Sequence, residues 1–185
     1  MLKYLALLFM ILPVVLLEAQ IAQGMIGGVS LNVNYMIENK NSSLSNEILP
    51  PPDLSVYLGY DFNNFFTANF YADYNSFADN WDGLELGAAF KYMVINNLFA
   101  SGGFSYAFIS GGNDSPGNNP LILVKRNFTY LNIGAEYFLS KISFVELIYS
   151  KPVDKNTVYG YDSYGNNILS LSGKIKLGFG FNFSL

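Results

Sequence analysis

The stretch Leu169-Ser170-Leu171-Ser172-Gly173-Lys174-Ile175-Lys176-Leu177-Gly178-Phe179-Gly180-Phe181-Asn182-Phe183 decides the fold. Leu169, Leu171, Ile175, Leu177, Phe179, Phe181 and Phe183 share one parity, and Ser170, Ser172, Lys174, Lys176, Gly178, Gly180 and Asn182 share the other. A period of two is the signature of a strand, because successive side chains point to opposite faces. One face is large and apolar; the other is small and polar and carries two lysines.

The same alternation recurs back along the chain. Val29, Leu31, Val33, Tyr35 and Ile37 oppose Ser30, Asn32 and Asn34. Leu54, Val56, Leu58, Tyr60 and Phe62 oppose Ser55, Tyr57, Gly59 and Asp61. Phe66, Ala68, Phe70 and Tyr74 oppose Thr67, Asn69, Tyr71 and Asp73. Leu84, Leu86, Ala88, Phe90 and Tyr92 oppose Glu85, Gly87, Ala89 and Lys91. The fifth segment, Leu98 to Phe108, carries Ser101, Gly103 and Ser105 on its polar face. The sixth sets Leu131, Ile133, Ala135, Tyr137 and Leu139 against Asn132, Gly134 and Glu136. In the seventh, Ile142 to Tyr149, both parities are largely apolar and only Glu146 marks the inner one.

The gaps between these eight segments alternate long and short. Long ones fall at Asn39–Pro51, Asn75–Asn80, Ser110–Pro120 and Pro152–Asn167, and short ones at Asp61–Asn64, Ile95–Asn97 and Ser140–Lys141. A meander with all tight turns at one end and all long loops at the other predicts an all-β, eight-stranded antiparallel up-and-down transmembrane β-barrel of the outer-membrane type. A soluble barrel would reverse the faces and carry ~25–35% charge on its surface. Here charged residues are only 13% of the chain and the polar parity is mostly Gly, Ser, Asn and Ala. Aromatic residues at segment ends (Tyr35, Tyr60, Phe62, Tyr74, Tyr92, Tyr137, Phe183) fit girdles at the two membrane surfaces.

Residues 1–19 read as a secretory signal and 20–185 as the barrel. Lys3 precedes an apolar run from Tyr4 to Leu17 that is shorter than the ~20 residues of a spanning helix, and Leu17-Glu18-Ala19 offers a cleavage site before Gln20. The chain has no Cys, which excludes disulfides and thiolate metal sites, and a net charge of −4 gives no footprint for nucleic acid.

At the C-terminus, Lys176-x-Gly178-x-x-Phe181-x-Phe183 resembles the insertion signal of outer-membrane barrels, which runs polar, any, Gly, any, any, hydrophobic, any, hydrophobic. Many such barrels end on an aromatic residue, whereas this chain adds Ser184 and Leu185. With eight strands the chain is similar to the small OmpA/OmpX-type barrels. The resemblance implies partners of two kinds, outer-membrane lipid and the barrel-assembly machinery that reads Lys176, Gly178, Phe181 and Phe183. It implies no cofactor and transfers no catalytic residue.

The candidate site is the set of charges on the inner parity: Glu85, Lys91, Glu136, Glu146, Lys174 and Lys176. An eight-stranded barrel is only wide enough for its own side chains, and an unpaired buried ion is costly, so these charges are expected to pair. Counted from the turn end, Glu85 and Lys176 lie at similar heights, and Glu146 is on the strand next to Lys176. A proton or ion path through the same residues is the alternative. Enzymatic readings are weak: there is no His for Ser–His chemistry, and the three Glu lie inside a filled lumen. Asp79-x-x-Asp82-Gly83 lacks the spacing of a calcium loop, and Gly178-x-Gly180 opens no helix. The loop 152–167, with Tyr159, Tyr161 and Tyr164 among Gly, Ser and Asn, has the composition of an adaptable contact surface and also of a flexible solvated loop, the reading that its Pro, Gly and Asn content favours. The expected role is non-enzymatic, either structural or in surface interaction through the long loops. The alternative is a narrow channel for small solutes.

Overall fold

The computed structural model describes residues 24–40, 53–63, 65–76, 82–109, 112–114, 121–123, 126–154, 156–161, 164 and 166–185. The signal expected at 1–19 lies outside the described residues, as does most of the loop at 39–51. The strands are β1 (Met25–Lys40), β2 (Asp53–Asn63), β3 (Phe66–Ser76), β4 (Asp82–Ile95), β5 (Leu98–Ile109), β6 (Gly112–Asp114), β7 (Leu121–Leu123), β8 (Arg126–Phe138), β9 (Ser143–Pro152), β10 (Val158–Tyr161) and β11 (Asn167–Ser184).

Eight of these form the wall, in the order β1-β2-β3-β4-β5-β8-β9-β11, every neighbour antiparallel. The seam between β11 and β1 runs from Ile26 opposite Ser184 to Lys40 opposite Leu169, so the sheet closes on itself. Closure satisfies the backbone groups that an open edge would leave bare in a lipid interior. Short turns join the strands at one end. Asn97 supplies the left-handed residue of the tight β4–β5 turn, with φ of 68°, a conformation that Asn tolerates better than most residues. In the β8–β9 turn the Ser140 hydroxyl accepts from the backbone N–H of Ile142 and Ser143.

Side chains alternate across the wall. On β1, Ser30, Asn32 and Asn34 are buried, whereas Leu31, Val33 and Tyr35 are exposed on the outside. The outer rings are not scattered: Tyr60 meets Phe62, Phe62 meets Phe66 and Phe66 stacks on Phe90, at centroid distances of 5.2, 5.8 and 5.8 Å. They form a continuous aromatic band across β2, β3 and β4 near the turn end. Inside, large rings sit over glycines. Tyr57 lies opposite Gly28, Tyr71 opposite Gly87 and Phe144 opposite Gly180. A Cβ added at any of the three glycines would collide with that ring. The missing side chain is the space the ring occupies, which is how a narrow tapering lumen is filled.

Two features correct the sequence reading. Leu171, expected on the outer face, is 2% exposed and points inward. The register of β1 on β11 slips between Ile37, opposite Gly173, and Glu38, opposite Leu171, so Ser172 is an extra residue. Such a bulge exchanges the faces of everything beyond it. The stretches 110–120 and 152–167, expected to be loops only, also carry structure, because β6 and β10 lie within them and β7 follows directly. The cause is the end of β9 at Pro152. Proline has no N–H to continue the ladder, so the upper part of β11 is left without β9 as a partner. There β10 pairs with β11, β7 with β10 and β6 with β7. The wall thus continues past the barrel as a spur on the loop side.

A closed barrel of this kind resists detergent unfolding. Unboiled protein is expected to migrate faster than boiled protein on a gel, with a β-type circular-dichroism spectrum; equal migration would contradict closure at the β1–β11 seam.

Candidate functional site

The lumen is built from facing pairs that the register dictates. Asp73 on β3 lies directly opposite Glu85 on β4, and Glu136 on β8 directly opposite Glu146 on β9. Like charges in directly opposed positions repel. Each pair is relieved by lysines arriving from elsewhere in the wall. Lys174 Nζ donates to Glu85 Oε2 at 2.5 Å, and Lys91 Nζ to Glu136 Oε2 at 2.5 Å. Lys176 Nζ donates to Asp73 Oδ2 at 3.0 Å and lies 3.9 Å from Glu146 Oε1. Lys176 therefore ties the two acidic pairs together.

The strand order gives these contacts their mechanical meaning. β11 and β4 are four strands apart in either direction around the wall, so the Lys174–Glu85 bridge spans the full diameter. Neutral groups complete the network. Ser105 Oγ donates to Glu85 Oε1 at 2.6 Å, Ser30 Oγ to Glu146 Oε1 at 3.1 Å, and Asn132 Nδ2 to both Tyr71 Oη and Ser105 Oγ, at 2.8 and 2.9 Å. Rings take the place of solvent around the ammonium groups. Lys91 lies over Tyr57 and Phe144, Lys174 over Tyr130 and Lys176 over Tyr71, at 5.1 to 5.6 Å from the centroids.

All six charges singled out in the sequence lie in the lumen, and every one is in an ion pair. The detail differs from the expected heights: Glu85 is held by Lys174, and Lys176 goes to Asp73. Counting along strands from the turn end neglects the stagger that strand tilt imposes across a barrel. Asp73, read as inward but not as part of the site, belongs to the network, and Asp53 is buried opposite Asn32. The β3–β4 register that sets Asp73 against Glu85 is the signal that finds the first. Among the described residues no group of three or more His, Cys, Asp or Glu is arranged to hold a metal ion; Asp79 lies outside them.

Of the residues matching the insertion signal, Lys176 is committed to this network. Gly178 lies beneath Asn32 and Glu146, where a Cβ would collide with the Asn32 amide oxygen. Phe181 faces outward, and Phe183 is half-buried near the end of β11. At the other end of the barrel the base of the spur is pinned. Thr129 N–H donates to Asp154 Oδ2 at 2.6 Å, Val153 N–H to Thr129 O at 2.9 Å and Leu171 N–H to Thr157 O at 2.9 Å.

Removing one partner of a buried pair strands the other. Lys174→Met is expected to lower unfolding stability by about 3–5 kcal/mol, and Lys174→Met with Glu85→Gln to recover much of that loss. Urea titration of the refolded barrel measures both; simple additivity of the two single changes would show that the groups are hydrated independently.

No family model matches the sequence. A search of curated proteins likewise finds no match. Solved structures do match. The N-terminal β-barrel domain of Pseudomonas aeruginosa OprF aligns with a TM-score of 0.51 at 13% identity, over 87% of this chain and 100% of that one. Ail, the attachment invasion locus protein of Yersinia pestis, aligns with a TM-score of 0.50 at 11% identity, over 88% and 100%. The same protein in complex with the heparin analogue sucrose octasulfate gives 0.50 at 12% identity, over 87% and 100%. At such identities the likeness concerns the fold. The chain is a closed eight-stranded barrel of the kind that spans bacterial outer membranes.

Proposed function

We propose that this protein is a non-enzymatic outer-membrane barrel whose work is done by the loop-end spur, in surface contact or envelope structure. The observation that carries this reading is the spur itself. Loops whose only task is to connect strands need no ladder, yet β6, β7 and β10 extend the wall beyond the point where β9 stops. Contacts at Thr129, Val153 and Leu171 fix its base. That stretch carries Tyr159, Tyr161 and Tyr164 among Gly, Ser and Asn in its sequence, a composition that combines large amphipathic residues with adaptable hydrogen-bonding groups.

The interior favours this reading over a conduit. At the turn end, Phe99 meets Phe138, Phe138 meets Phe144, and Phe144 meets Tyr57, at 5.5, 5.8 and 6.2 Å. At the loop end, Phe128, Tyr130 and the inverted Leu171 are buried together with Ala107. Charged residues between these two apolar layers brace the wall rather than line an open path. The chemistry of the surface differs from one suited to a polyanion such as the heparin analogue bound by Ail. Between the wall strands at the loop end, Lys125 and Lys155 are outnumbered by Glu47, Asp79, Asp114, Asp154 and Asp162.

Two measurements on the same protein test the proposal. Epitopes inserted at Tyr164 are expected to be labelled on intact cells, whereas epitopes at Asn96 are not. The purified barrel in planar bilayers is expected to show no conductance steps beyond the protein-free bilayer. Regular steps that vanish on boiling would favour the conduit, and labelling only at Asn96 would reverse the orientation.

A further inference from the structure

The three short turns are unusual for water-facing connections. Beyond the strand ends they carry a single charge, Lys141, with exposed Asp61 just before the first turn, and each presents a large exposed apolar residue in it or beside it. Phe65 is 56% exposed in the β2–β3 turn, Ile95 63% at the β4–β5 turn, and Leu139 and Ile142 56% and 58% in the β8–β9 turn. These residues continue the outer wall without a break. Phe65 adjoins the Phe62–Phe66–Phe90 band, Ile95 follows outward Val94, and Leu139 extends the row Leu131, Ile133, Ala135 and Tyr137.

The height of the wall says what covers them. On β4 the outward apolar row from Leu84 to Val94 rises about 25 Å, at ~3.3 Å per residue and ~40° of tilt, which equals the apolar band of an outer-membrane barrel. On β8 the row is shorter. It is bounded on the loop side at Leu131, opposite exposed Lys151, with Thr129 and exposed Asn127 beyond. From Leu131 to Tyr137 it rises only about 15 Å, well under the ~25 Å band. Adding Leu139 and Ile142 brings the height to roughly 20 Å, and the Lys151 stem can reach upward for the remainder. A level drawn to satisfy both sides of the barrel passes at or below the β4–β5 and β8–β9 turns, and exposed Phe65, next to Phe66 of the aromatic band, extends the same surface to the β2–β3 turn.

We propose that the turns themselves are a lipid-contact surface, sunk into the headgroup and upper acyl region of the leaflet at that end. The occupant is bilayer lipid, and the barrel sits low enough that β1 and β11 above Tyr35, with the spur, stand clear of the membrane. Phe65, Ile95, Leu139 and Ile142 act there as interfacial anchors, while Lys141 extends to the phosphate layer.

The chain has no cysteine, so single-site spin labels are unambiguous. Phe65→Cys, Ile95→Cys and Leu139→Cys, labelled in nanodiscs of phosphatidylcholine and phosphatidylglycerol, are compared with Val153→Cys at the loop end and Phe70→Cys at mid-wall. Collision with a water-soluble nickel chelate is expected to be several-fold lower at the three turn sites than at residue 153. Collision with oxygen there should approach that at residue 70. Nickel accessibility equal to residue 153 at any two turn sites overturns the proposal. Protection that arises in cells but not in discs also overturns it, by assigning the surface to a protein partner; spin–spin broadening in discs would assign it to a second copy. Fast migration before boiling certifies each folded variant, and Ile142→Cys replaces any that fails.

Discussion

An eight-stranded wall closes around a space just wide enough for side chains, and the rest of this molecule follows from that width. Water cannot solvate charges there as it does at a surface. A carboxylate that the strands turn inward calls for a cation or hydrogen-bond donors, and every large ring must find a gap. The lysines at 91, 174 and 176 meet the first demand for Asp73, Glu85, Glu136 and Glu146, and the glycines at 28, 87 and 180 meet the second. Breaking one contact leaves a buried charge or forces a ring into a backbone. The lumen is therefore cooperative, and a barrel whose outer face gains nothing by leaving lipid draws its specificity from within.

This arrangement also explains why so small a number of charged residues serves so large a wall. Opposed acids at 73/85 and 136/146 would separate strands if left alone. Bridged by Lys176, and braced across the diameter by Lys174, they become fixed points that relate β3, β4, β8, β9 and β11 to one another. Register matters doubly in such a design. A slip of one residue on any of these strands would send its charge into lipid and its apolar row into the lumen.

Period-two alternation made the wall legible from sequence because lipid and lumen impose opposite chemistry on neighbouring residues. The inward charges were legible for the same reason. That they pair followed from the narrow lumen, but the choice of partners did not, since Lys174 and Glu85 lie on opposite sides of the barrel and their relative height depends on stagger, which no single strand records. Leu171 misled because Ser172 is an extra residue in a pattern that otherwise looks unbroken. The spur was hidden in Gly-, Asn- and Pro-rich stretches, where Leu121–Leu123 and Val158–Tyr161 are too short to announce themselves. Their pairing depends on a vacant edge created by Pro152 on another segment. Local sequence carries the alternation; only the closed barrel carries its interruptions.

The proposed function requires a lumen that is a filled, ion-paired core rather than a wet passage. The most direct measurement is the exchange of lysine side-chain ammonium protons with water, followed by nitrogen-15 NMR of the folded barrel in detergent micelles near neutral pH. Lys141, exposed in the β8–β9 turn, is the internal reference. In a filled lumen, Lys174 and Lys176 give sharp ammonium signals that persist at a pH where the Lys141 signal has been lost to exchange. Ammonium protons at 174 and 176 that exchange as fast as those at 141 would mean that water reaches the network freely, and would contradict it.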